Sequence, residues 1–174
     1  MHLYFDIGWY GLLAGSAVSF LNVYATRLGA SGLQIGLLGA MTAAINLVLA
    51  IPAWRWVEKR PIDKAVFWTA AAYRAGYLLW VFLPWLFGGN NQAEIWALIL
   101  INFLMGIPLT AVGLGFNALF AAAVPTDWRA HVAGTRNIIL SVTFILTSLL
   151  SGYILEQVPF PTGYQIIFLI GVVG

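Results

Sequence analysis

Long stretches of this chain carry no charged side chain. Residues 7–26, 33–54, 95–124 and 137–155 are free of Asp, Glu, Lys and Arg, and residues 65–86 hold only Arg74. A helix that crosses a bilayer needs about 20 predominantly apolar residues. The pattern therefore predicts spans over 7–26, 33–54, 65–86, 95–118 and 137–155, and the start of a sixth over 166–174 that stops in mid-helix at Gly174. Strand-like alternation is absent, and continuous apolar runs satisfy their backbone in lipid only as helices. The expected fold is all-α, a polytopic transmembrane bundle filling residues 1–174.

Composition agrees. Of 174 residues, 61% are hydrophobic and 8% charged, where soluble domains carry about 25% charged residues. That much apolar surface needs lipid around it. The net charge of +2 comes from scattered residues, not from the clustered basic face that nucleic acid requires. No cysteine is present, which removes disulfides and thiolate metal sites. His2 and His131 are far apart in the chain and do not make up a metal ligand set. No cofactor is expected. The N-terminus has no Lys or Arg ahead of its first apolar run, unlike a cleaved signal peptide, so span one is expected to stay in the protein.

Basic residues set the expected orientation. Arg55, Lys59, Arg60 and Lys64 lie between spans two and three, and Arg129 and Arg136 between spans four and five, against Arg27 alone on the other side. The N-terminus and these two loops are expected to be cytoplasmic, in a multi-pass protein of the cell membrane. Trp9, Trp54, Trp56, Trp68 and Trp128 fall near one set of span ends, and Tyr24, Trp85, Trp96 and Tyr164 near the other, as interface belts do. Trp80 and most phenylalanines read as filling between helices.

Small residues suggest where helices touch. Gly11 and Gly15 share a face of span one, Gly36 and Gly39 open span two, and Gly113 and Gly115 lie in span four. Such spacing lets backbones approach closely. Pro108 removes a backbone hydrogen bond in span four and is expected to kink it.

Several segments resemble the N-terminal half of a major facilitator superfamily transporter. RLGAS at residues 27–31 followed by IGLLGA at 35–40 looks like the family's join between its first two helices. After span two, Glu58 matches the family's loop acid and Lys59 its basic residue. Pro61 stands where the second glycine is expected, Asp63 and Lys64 where a basic pair would be, and Trp54 near the first glycine. After span four, Pro125, Arg129, Gly134 and Arg136 follow the family's order. The resemblance implies two three-helix inverted repeats, a C-terminal half beyond Gly174, and secondary active transport of a small solute, with or without a coupling ion, by alternating access. It also implies that spans one and four line the pathway, which nominates Ser19, Asn22, Asn102, Thr110 and Asn117, with Arg136 at the start of span five. The bland alternative for each asparagine is a helix–helix hydrogen bond. Glu58, Lys59, Asp63, Lys64 and Arg129 would form a cytoplasmic gate of weak ion pairs. Alternatively, the same loop is only a topology signal.

Arg74 is the outstanding charge. Ten residues beyond Lys64, at about 1.5 Å each, it lies about 15 Å deep, where charge is expensive. Asn46 and Asn117 lie about 10–12 Å deep by the same rise, so Arg74, Asn46 and Asn117 form a candidate intramembrane polar cluster. Arg74 then bonds neighbouring helices, faces an anionic substrate in a water-filled cavity, or pairs with a carboxylate of a missing half or snorkels to water.

Other classes fare worse. A membrane enzyme would need His, Asp or Glu clustered near an interface, and none is seen in the sequence. A small oligomeric channel or structural protein remains the alternative, although no charged ring supports a pore. No nucleotide-binding loop is present, so ATP hydrolysis is not expected of this chain.

Overall fold

The computed structural model describes residues 2–174, with side chains from Tyr4 onward. It is all-helical, with no strand among the described residues. Helix α1 (His2–Leu13), a π-helical turn (Ala14–Val18) and α2 (Ser19–Arg27) form one rod. Then come α3 (Gly32–Glu58), α4 (Ile62–Phe87), α5 (Asn91–Ala123), a 3-10 turn (Thr126–Trp128), α6 (Arg129–Gln157) and α7 (Thr162–Val173). Four of these stretches, Gly32–Glu58, Ile62–Phe87, Asn91–Ala123 and Thr126–Gln157, are long and apolar enough to cross a membrane. The first expected span is present as the rod, but the π turn divides it, so it is not one continuous α-helix. That turn is wound one residue wider: the Ser19 N–H donates to the Ala14 carbonyl, five residues back.

The helices run past the apolar stretches that predict them. α3 continues through Arg55 to Glu58, and α4 begins at Ile62, so Asp63 and Lys64 lie in its first turn. The expected ten-residue loop shrinks to Lys59, Arg60 and Pro61. Local chemistry fixes these ends. Ser31 and Gln34 form a reciprocal capping box at the start of α3, satisfying two otherwise orphan N–H groups. Asn90 caps α5 by accepting from the Ala93 N–H at 3.2 Å. Gly88 ends α4 with φ +43°, a left-handed conformation that glycine adopts without Cβ strain. Helix α5 is unbroken through Pro108.

The helices fall into two groups. α5 packs between α3 and α4, while the rod packs against α6 and α7; α4 and α7 join the groups. Close approach relies on small residues, as the spacing suggests. A Cβ on Gly15 would lie 2.6 Å from the Phe144 carbonyl oxygen of α6, and one on Gly11 would collide with Thr143. A Cβ on Gly115 would come 2.7 Å from Val66 on α4. Gly36, Gly39 and Gly113 have nothing within 4 Å and face open space instead.

The core is lopsided. One large cluster holds Leu21, Tyr24, Trp80, Leu83, Leu98 and Phe168 at the end where α2 and α4 finish and α5 and α7 begin. At the other end the cluster is small: Val57, Ala65 and Ala111. Tyr24 and Tyr164 are fully buried, which corrects their placement in an interface belt. They pack tilted or edge-on within an aromatic group with Phe160 and Phe168 and contribute packing rather than anchoring. Trp9, Trp54, Trp56, Trp68, Trp85, Trp96 and Trp128 are exposed, as belt residues would be. So are many aliphatics, with Leu47 84% exposed. An outward apolar surface of this kind suits a membrane-embedded protein.

Candidate functional site

A cavity of about 350 Å³ opens at the loosely packed end, between α1, α4, α5 and α6. Its polar lining is Asp6, Tyr10, Arg74, Asn117 and Arg136. The elements explain the convergence. Asp6 and Tyr10 lie four residues apart in α1, and therefore on one face. Arg74 sits at the middle of α4, Asn117 in the last third of α5, and Arg136 two turns into α6.

Arg136 is deeply placed, its side chain 9% exposed. Its Nη2 lies 3.8 Å from Asp6 Oδ2. That is an ion pair but too long for a hydrogen bond. Its guanidinium also lies over the Phe116 ring at 4.4 Å and near Phe120 at 5.9 Å, an arrangement attractive by about 0.5–2 kcal/mol. Its Nη1 is buried without a hydrogen-bond partner. Arg74, half-buried, makes no hydrogen bond or salt bridge among the described residues. Both arginines thus line one cavity, and the buried, unpartnered Nη1 of Arg136 calls for a reason in a native interior.

The sequence-nominated residues are divided among different places. Arg74, Asn117 and Arg136 share the cavity. Asn46 does not: it accepts from the Thr110 hydroxyl at 2.6 Å and borders a separate recess between α3 and α5. The same hydroxyl lies 2.9 Å from the Gly106 carbonyl, so its single proton is shared between the two acceptors. The Arg74, Asn46 and Asn117 cluster is therefore split, because α5 stands between α3 and α4. Asn102 donates to the Leu38 carbonyl at 3.1 Å, a tie between α5 and α3. Ser19, exposed at the start of α2, donates to the Ala14 carbonyl at 2.7 Å, and Asn22 is exposed further along α2. Neither lines the cavity.

The expected gate pairs do not form. The one ion pair among the described residues is Arg136–Asp6, so Glu58, Lys59, Asp63 and Lys64 are joined by none. Glu58 closes one helix and Asp63 and Lys64 open the next, which separates charges that a flexible loop could have paired. Arg129 instead donates to the Val124 and Ala121 carbonyls at 3.0 and 2.6 Å, capping the end of α5.

Two carboxylates escaped the sequence reading. Asp6 fell just outside a span drawn from residue 7, although its spacing to Tyr10 marks a shared face. Glu94 falls one residue before the span drawn from residue 95; it is 3% exposed in the first turn of α5 and accepts from the Tyr24 hydroxyl. Among the described residues, no three His, Cys, Asp or Glu side chains gather as a metal site. No known protein family, curated protein or solved structure matches the chain.

Proposed function

We propose that the chain is the N-terminal six-helix half of a major-facilitator-type secondary transporter, moving a small solute across the cell membrane by alternating access, with its N-terminus cytoplasmic. One observation carries this reading: the packing pattern maps onto itself. Exchange the rod with α5, α3 with α6, and α4 with α7. The rod flanked by α6 and α7 becomes α5 flanked by α3 and α4, and the α4–α7 seam is unchanged. Two three-helix repeats produce this exchange. Because three spans end on the side opposite their start, the second repeat is inverted relative to the first. The polar cavity touches the leading helix of each repeat, α1 and α5, where a pathway between repeats belongs.

The test is counterflow. The product of the full reading frame is reconstituted in liposomes preloaded with unlabelled candidate solute. Saturable uptake of labelled solute, accelerated by the solute inside, is expected of alternating access. Linear flux indifferent to the solute inside would replace this reading with the channel alternative.

A further inference from the structure

The cavity carries more information than a pathway needs, because its charge is unbalanced. Among the described residues, the fixed charges on its wall are Arg74 and Arg136 against Asp6 alone. Two positive groups and one negative group leave one positive charge over. In a site walled by low-dielectric material, uncompensated charge is costly. The donors are equally unbalanced: neither guanidinium is engaged in a hydrogen bond among the described residues, and Arg136 Nη1 is buried and orphaned.

We propose that this cavity binds a small organic monoanion, a single carboxylate on an apolar body. The assignment deepens the transporter reading and, as a substrate class, rests on it. A guanidinium presents paired N–H groups that match a carboxylate bidentately. Asn117 and Tyr10 add neutral hydrogen-bonding groups on the same wall. The remaining lining includes Ile7, Val66, Leu109, Val112 and Phe116, which suits an apolar body better than a bare hydrated ion. At about 350 Å³, the space falls at the lower end of the range for small-molecule sites, about 300–1,000 Å³. Asp6 holds Arg136 only through the long 3.8 Å contact and is itself 48% exposed. It acts as a placeholder that competes with the ligand carboxylate for Arg136.

The experiment is calorimetric titration of the purified full chain in detergent with sodium benzoate and sodium hexanoate, with benzamide as the neutral counterpart and sodium chloride as the inorganic one. At least one carboxylate is expected to bind saturably, and benzamide and chloride are not. Arg74→Gln and Arg136→Gln should each weaken binding by about tenfold or more, the loss expected when one partner of a buried charged contact is removed. Arg60→Gln, which alters an exposed residue stacked on Trp56 at 4.0 Å, should change nothing. Asp6→Asn should tighten binding, whereas a purely structural pair would give loss of stability and no gain in affinity. If Arg136→Gln does not fold, Arg74→Gln decides, since among the described residues no hydrogen bond or ion pair depends on Arg74. Absence of binding by both carboxylates, equal binding of benzamide, or binding of chloride alone overturns the proposal. Carboxylate binding without counterflow would sink the transport reading and leave the site standing. Counterflow of some other solute without carboxylate binding would sink the site and leave transport.

Discussion

Tyr24 and Glu94 lie 70 positions apart, yet the tyrosine hydroxyl donates to the carboxylate inside the packed end of the bundle. A buried acceptor stripped of its donor costs about 1–3 kcal/mol. Tyr24→Phe should therefore lower unfolding stability in a denaturant titration by about that amount, without touching the cavity. Thr110→Val removes a single interhelical bond to Asn46, and such bonds in membrane bundles average about 0.6 kcal/mol. The same titration should rank it well below Tyr24→Phe. These residues also mark what the sequence could tell. The depth of Arg74 and its level with Asn117 follow from the rise per residue, and both line the cavity. Asn46 lies at matching depth but on the wrong side of α5, because rise fixes depth and says nothing of azimuth. Asp6 and Glu94 were illegible for a different reason. A charge ends an apolar run, so a run-based reading puts charged residues outside helices that in fact contain them.

At the scale of elements, apolar runs located every long helix and misjudged the ends. Caps such as Ser31 with Gln34 extend the helices into polar sequence, and this shortens the connections until few side chains remain free to pair across them. Glu58→Gln should accordingly shift stability by no more than about 0.5 kcal/mol, as surface changes without a partner do. Glycine spacing was informative where a neighbour exists and silent about where one does not. Gly15→Ala would place a methyl 2.6 Å from the Phe144 carbonyl oxygen, and backbone cannot move aside cheaply. A cost of about 1–3 kcal/mol is expected, as for other overpacked contacts. Gly36→Ala meets nothing within 4 Å and should be neutral or slightly stabilising. Thermal unfolding of the two variants side by side checks both. The π turn in the rod left no mark in hydropathy, since its residues, AGSAV, are as apolar as those of an ordinary helix.

Taken whole, the molecule is closed at one end and hollow at the other. The large aromatic core fills the end that holds Tyr24, Trp80 and Phe168, and the cavity with Asn117 and Arg136 occupies the opposite one. Residues 1–174 hold no cysteine, so a thiol introduced among them is the only one in this half. Asn117→Cys should react with a membrane-impermeant maleimide added on the side bearing Lys59 and Arg60, while Leu98→Cys, fully buried, should stay unmodified from either side. The lopsided core has a mechanical consequence as well. The two helix groups meet chiefly along the α4–α7 seam and through the aromatic plug. α3, at 27 residues, is a lever about 40 Å long. If the plug holds its packing, it serves as the fulcrum. A tilt of about 5° between the groups then leaves the closed end nearly still and moves the far tips by about 3 Å, by simple leverage on that length. In such a body, small rotations are spent almost wholly on the width of the mouth.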